Sequence, residues 1–308
     1  MVKHIASTCS GWLSMKQLMM LSGTRLILPF YHVVSDQEAP HYKHLYPVKS
    51  VSEFEADLDF LLQHFRPITL NELMEQVTAN RKFREPVFHL TFDDGLRELY
   101  EVVAPILKQR GIPATFFINT DFMDNKSMFY RFKASLMVEE FGTTGMLELS
   151  ADEALQIDDF AETMGYSFDG YLKANQPYLT SDQIKNLIGQ GFTIGGHSLN
   201  HPLFSDLNVE EQVNQALSSV RILCDQFRLD YGVFSFPFTD HGVGREFFRQ
   251  VNTTLDLTFG TAGIKKDITS KNLQRVPMEQ PETAEAIIKT QYMYAVMKNL
   301  VGRNRIRR

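Results

Sequence analysis

At 308 residues, 44% hydrophobic and 22% charged, the chain can bury a large core and has the balance of a globular protein. Its net charge of −6 excludes a general nucleic-acid binder, and its two cysteines, Cys9 and Cys224, exclude a disulfide framework. No apolar run is long enough to span a membrane, and Met1–Ser10 lacks the pattern of a signal peptide, so a cytoplasmic location is expected.

Arg25–Val34 reads as a first strand and its exit, with Pro29 pointing to an edge position or a strand end. His32 stands at that exit, either satisfied by backbone or part of a site. The stretch 36–47, with His41, Tyr42, His44 and Tyr46, is a loop that either lines a cleft or covers a barrel end. Val51–Phe65 is a helix capped by Ser52, with Phe54, Leu58, Leu61, Leu62 and Phe65 on one face. Asn71 caps the next helix. Pro86–Phe92 is a buried strand that stops at Asp93–Asp94–Gly95. Leu99–Arg110 is a helix ended by Gly111, and Ala114–Asn119 is an apolar strand, which completes a βαβ unit and calls for a parallel sheet.

Residues 124–179 break the alternation. They are rich in acids and contain no convincing strand, so they read as a helical insertion, either one wall of a cleft or a solvated lobe. From Thr180 the alternation resumes. Thr180 with Gln183, and Asn208 with Glu211, have capping-box spacing. Phe192–Gly196 is a strand leading to His197–Ser198–Leu199–Asn200–His201. Cys224 falls on the core face of the helix after Asn208. Val233–Phe238 is a strand that precedes Asp240 and His241. Leu257–Gly260 and Leu273–Val276 are late strands, and Ala284–Leu300 is the final helix. The closing Arg303–Asn304–Arg305–Ile306–Arg307–Arg308 is a solvated tail or a site for an anionic partner. The expected fold is α/β: one domain over 1–308, a distorted (β/α) barrel of seven or eight strands with the helical insertion.

Polar residues thus recur where strands end: Asp93 and Asp94, His197 and His201, Asp240 and His241. In an α/β barrel such positions converge on one face. Two adjacent aspartates there need a cation or a shared proton. Two histidines four residues apart, joined by one aspartate, form a 2-His-1-carboxylate set for one divalent ion, with positions left for water and substrate.

Thr91–Phe92–Asp93–Asp94–Gly95 and His197–Ser198–Leu199–Asn200–His201 resemble the first two motifs of the polysaccharide deacetylase (NodB-like) family of carbohydrate esterases. Phe30–Val34, Gly111–Phe117 and Phe192–Gly196 are similar to the flanking segments. The likeness covers about 25–120 and 180–280. It implies a distorted barrel that removes N- or O-acetyl groups from sugars or glycan precursors with one divalent ion: Zn²⁺, or alternatively Co²⁺, Ni²⁺, Mn²⁺ or Fe²⁺. Carried over by motif, Asp93 is the base, Asp94, His197 and His201 are the metal ligands, and the backbone near Pro237–Phe238 binds substrate and its oxyanion. Two features depart from the family. Ser235 stands where an arginine orients the base, and no histidine follows His241 to act as the late acid. His241 is therefore the first candidate acid and His32, at the substrate site, the second. The departures leave two alternatives: a metal- and saccharide-binding homologue without turnover, and a hydrolase of a non-sugar C–N bond.

Overall fold

The computed structural model describes residues 13–308; Cys9 and the stretch read for a signal peptide lie outside them. Thirteen short strands form among the described residues: β1 Leu26–Ile27, β2 Pro29–Tyr31, β3 Arg66–Pro67, β4 Val87–Phe88, β5 Leu90–Phe92, β6 Ala114–Ile118, β7 Thr193–Gly196, β8 Val233–Ser235, β9 Leu257–Gly260, β10 Lys266–Asp267, β11 Asn272–Gln274, β12 Val276–Pro277 and β13 Arg305–Ile306. Eight make one parallel sheet in the order β11-β9-β8-β7-β6-β5-β2-β12. Its two edge strands are separated in sequence by Arg275 alone, so the sheet nearly closes on itself. This is the expected distorted barrel. β1 and β4 extend the staves of β2 and β5 and pair with β3 in a smaller parallel sheet.

Several local readings need adjustment. Pro29 opens β2, which lies between β5 and β12 rather than at an edge. The missing N–H costs little at a strand's first residue. The expected strand over Pro86–Phe92 is split at His89, whose ring is bonded to the Ile68 carbonyl and Thr115 Oγ1, each at 2.8 Å. The helix Val51–His64 is capped by Ser50, not Ser52: Ser50 Oγ accepts from Glu53 N–H, and the Glu53 carboxylate accepts from Ser50 N–H. Thr69 rather than Asn71 caps Leu70–Thr78. The boxes at Thr180 and Asn208 form as read. The Leu99–Arg110 helix begins with a wide π turn over Leu99–Val103.

The main core lies between the barrel and its outer helices, around Phe54, Leu58, Phe92, Phe116, Leu187 and Tyr292. A second core joins residues 124–179 to the 36–47 loop through Tyr42, Phe129, Phe132, Met137, Ile157 and Tyr178. Residues 124–179 form the helices Tyr130–Phe141, Leu155–Thr163 and Phe168–Asn175, and an isolated bridge of Tyr178 to Leu96 ties them to the barrel. Cys224 is half-buried and donates to the Tyr231 carbonyl at 3.3 Å. Among the described residues no helix is long and apolar enough to cross a membrane.

Candidate active site

Parallel strands deliver their carboxyl ends to one face, and a cavity of about 260 Å³ opens there. β5 hands over directly to Asp93 and Asp94. Asp93 N–H donates to the Tyr31 carbonyl at 2.9 Å, which continues the β2–β5 ladder by one residue. Asp94 then turns into the left-handed region at φ 70°, a conformation that costs a non-glycine residue energy. That turn sends the two side chains into different surroundings.

Asp93 is buried and gripped by Arg275, whose Nη1 donates to Oδ1 at 2.8 Å and Nη2 to Oδ2 at 2.7 Å. Arg275 is fully buried. It also donates to Thr91 Oγ1 and Ser235 Oγ, and it lies over the Phe30 ring at 4.3 Å from the centroid. Burial alone would push the Asp93 carboxyl up. The Arg275 charge, followed by His197, outweighs it and holds the group below the usual carboxylate range. A two-pronged guanidinium also fixes the plane of the carboxylate, which a lysine would not do.

Asp94 faces the histidines. Its Oδ1 lies 3.5 Å from His197 Nε2 and 3.2 Å from His201 Nε2. The three ligand atoms fall within 4.8 Å of one another. His197 Nδ1–H donates to the Ser235 carbonyl at 2.9 Å, which turns Nε2 toward Asp94. Burial lowers His197 to about 4, against the pull of Asp93, so its ring is neutral as a ligand must be. His201 is reached through two left-handed residues, Ser198 and itself, and Ser198 Oγ accepts from His201 N–H at 2.9 Å. Phe129 and Phe238 flank its ring at 4.4 and 4.6 Å. The approach to this loop requires glycine. A Cβ on Gly195 would stand 2.5 Å from the Phe117 ring, and one on Gly196 2.7 Å from Ser219 Oγ.

These residues fit a divalent ion. Asp94 Oδ1 is buried with no hydrogen-bond partner although two imidazole nitrogens face it. An oxygen in that position is costly unless a cation satisfies it. The donor set, one carboxylate and two imidazoles, suits several divalent metals.

His32 lines the same cavity. Its Nδ1 is bonded to Glu279, whose Oε1 accepts from the N–H groups of His32 and Val33 at 2.7 and 2.8 Å. Burial opposes a charge on His32, but the Glu279 carboxylate and its hydrogen bond prevail and raise the imidazole to about 9. Tyr46 stacks on it at 5.0 Å, and Leu45 and Tyr46 bring the 36–47 loop to the rim. Phe129 and Arg131 do the same for the 124–179 segment.

Of the residues singled out in the sequence, the structure gathers Asp93, Asp94, His197, His201, His32 and Phe238. It does not gather His241. Asp240 is buried and paired with Arg308, and Asn272 and Gln274 donate to it. That anchor leaves His241 exposed at the surface, away from the cavity lining. Pro237 is buried behind Phe238 and does not line the cavity either. Arg308, expected in a solvated tail, is itself buried between Asp240 and Asp267. Two site residues escaped the sequence reading. Arg275 supplies from the closing strand the guanidinium that seemed absent, and Ser235, the residue in its expected place, bonds to it. Glu279, four residues on, orients His32. The signal available was an arginine inside an otherwise strand-like run, 272–277, of a barrel.

A sequence profile described as polysaccharide deacetylase matches residues 80–243, more than half of the chain and inclusive of both motifs. The chain belongs to the polysaccharide deacetylase family. It is 22% identical over 186 residues to the putative polysaccharide deacetylase YxkH of Bacillus subtilis (strain 168), a match that covers 60% of this chain and 49% of that one. The chain thus spans about half the length of that curated relative. Among solved structures it is similar to the Streptococcus pyogenes deacetylase PplD in complex with acetate, with a TM-score of 0.60 at 16% identity over 87% of this chain and 98% of that one. It is likewise similar to IcaB from Ammonifex degensii, with a TM-score of 0.58 at 18% identity over 87% and 97%. At such identities the likeness concerns the fold.

Proposed function

We propose that the chain hydrolyses the acetyl group of an acetylated saccharide or glycan precursor. The observation that carries this reading is the division of labour between neighbours. Asp93 is held ionised and planar by Arg275, while Asp94 Oδ1 turns, otherwise unpartnered, to His197 and His201. Asp94, His197 and His201 would hold the divalent ion: Zn²⁺, or alternatively Co²⁺, Ni²⁺, Mn²⁺ or Fe²⁺. Such an ion acidifies water and polarises a carbonyl.

The chain's own groups account for the proton traffic. Asp93 takes a proton from the attacking water as its oxygen bonds to the acetyl carbon, and Arg275 keeps the carboxylate aimed during the transfer. The N–H of Phe238, a residue that lines the cavity, would bind the developing oxyanion. As the bond to the sugar nitrogen or oxygen breaks, its electron pair goes to the leaving atom, which takes the His32 proton. His32 suits this step because Glu279 keeps it protonated at neutral pH. His32 thus takes the part expected of His241. The reading without turnover rested on a missing arginine and a missing acid; Arg275 and His32, in those places, support the reading with turnover.

The test is acetate release from N- and O-acetylated saccharides and from simple acyl amides, with each ion in turn. Release from the saccharides, lowered about 100- to 10,000-fold by Asp93→Asn, is expected. Release from simple amides alone moves the substrate to non-sugar C–N bonds. Stoichiometric saccharide binding with no release returns the homologue without turnover.

A further inference from the structure

At the end of the barrel opposite the catalytic cavity, where strands begin, a second cavity of about 720 Å³ opens. Arg25, just before β1, and Lys82 and Arg84, just before β4, form one wall; Lys265 and Lys266 on the crossover from β9 to β11 form another. None of the five is in an ion pair among the described residues. The nearby acids are already committed: Asp267 to Arg308 and Glu85 to Arg66. Arg25 donates to the Phe83 and Arg84 carbonyls, which ties the walls together without neutralising its charge. β13 pairs in parallel with β10, setting Arg305 opposite Lys266. Lys298 also approaches, and burial followed by the Lys265 charge lowers its ammonium. In a chain of net charge −6, this concentration of unanswered positive charge is local.

The segments that adjoin the lining expose apolar side chains. Among the described residues ten large hydrophobic side chains are exposed, and five of them lie on these segments: Met20, Leu21, Ile268, Leu300 and Val301. Met20 and Leu21 close the helix Met15–Ser22, just before the Gly23–Arg25 wall. Ile268 sits between two lining residues, Asp267 and Thr269. Leu300 ends the helix Ala284–Leu300 and Val301 follows it, and the neighbouring Asn299 donates to the Ser22 carbonyl at 3.1 Å. Leu300 is 83% exposed and Met20 74%. Isolated exposed hydrophobics need no explanation, but a cluster of them bordered by lysine and arginine has the composition of a membrane-surface face.

We propose that this end of the barrel docks on an anionic membrane surface. Lipid phosphates enter the cavity between Arg25, Arg84 and Lys265, and Met20, Leu21, Ile268, Leu300 and Val301 seat at the acyl boundary. The chain needs no spanning helix for this attachment, which is peripheral. Because the strands are parallel, the catalytic cavity then faces away from the bilayer, toward glycan that projects from the surface or is free in solution. The docking face is independent of the deacetylase chemistry and stands or falls separately from it.

The experiment is co-sedimentation of the full chain with vesicles of phosphatidylcholine alone and of phosphatidylcholine with phosphatidylglycerol, across a salt series. Binding to the anionic vesicles that weakens with salt is expected. Lys82→Gln/Arg84→Gln/Lys265→Gln should weaken it on the order of 100-fold, at about fivefold per charge, with an unchanged unfolding midpoint. Met20→Ser/Leu300→Ser/Val301→Ser should abolish the part that survives high salt. Equal binding to both vesicle types, or none, overturns the proposal, and this comparison needs no variant. Glycerol phosphate titrated calorimetrically is the second arm: if it saturates the cavity while vesicles do not bind, the occupant is a soluble phosphate and the membrane proposal fails.

Discussion

The two ends of the barrel treat charge in opposite ways. At the carboxyl end charges are buried and answered: Arg275 meets Asp93 and His32 meets Glu279, and the oxygen left over, Asp94 Oδ1, points at two imidazoles. At the amino end five cations line one cavity, and among the described residues none of them is in an ion pair. A buried charge must be paired, so the unpartnered Asp94 Oδ1 beside two imidazoles is a candidate place for an ion. A surface charge is under no such obligation, so an unpaired group there acquires meaning only through clustering and through the apolar residues beside it.

The sharpest way to break this contrast is at Arg275. Arg275→Ala leaves Asp93 buried and unpaired, so unfolding in denaturant should reveal a loss of about 3–5 kcal/mol, and acetate release should fall with it. Adding Asp93→Asn should recover much of the stability but none of the activity. If both single variants are as stable as the parent, the ion pair does not organise this end. A second lever is acid. Burial holds His89 at about 4 against an ordinary 6.5, so the fold favours its neutral form. Stability from that group is complete above pH 6.5 and drains as pH falls through 4, by up to about 3 kcal/mol. His89→Gln should flatten this part of the pH–stability curve; an identical curve would assign the loss to other groups.

Glu279→Gln probes the acid. With Glu279 in place His32 stays protonated to about pH 9, and activity should hold to that limit. Without it the imidazole loses the strongest influences that raise it, so the alkaline limb of the pH–rate profile should move to lower pH. A limb that does not move removes His32 from the acid's place. The smallest effect is expected at His241. Its exposed ring touches nothing in the cavity, so His241→Ala should release acetate at the parent rate within error; a large loss would restore the sequence-based choice.

Much of the barrel was readable because its strands are short apolar runs punctuated by caps and glycines, and because chemistry sits at their ends. Asp93 with Asp94, and His197 with His201, were legible as motifs since each pair is local in sequence. Arg275 and Glu279 were not. Arg275 reaches Asp93 across 182 residues and Glu279 reaches His32 across 247, and such contacts exist only once the last strand closes the sheet. His241 was singled out for the complementary reason. Its place in a loop after β8 fitted the expected pattern, but the Asp240–Arg308 pair, which holds that loop to the tail, left no trace in local spacing. Ser52 was read as the cap of its helix, and the Glu53 carboxylate three residues after Ser50 places the cap at Ser50 instead.

The central claim is that Asp93 works as the base while Asp94, His197 and His201 hold the ion. It is tested most directly by measuring acetate release from an acetylated saccharide by the zinc-loaded Asp93→Asn chain beside the parent, at equal bound zinc. The account predicts the same zinc content and a rate lower by at least about 100-fold. Release at the parent rate would contradict it.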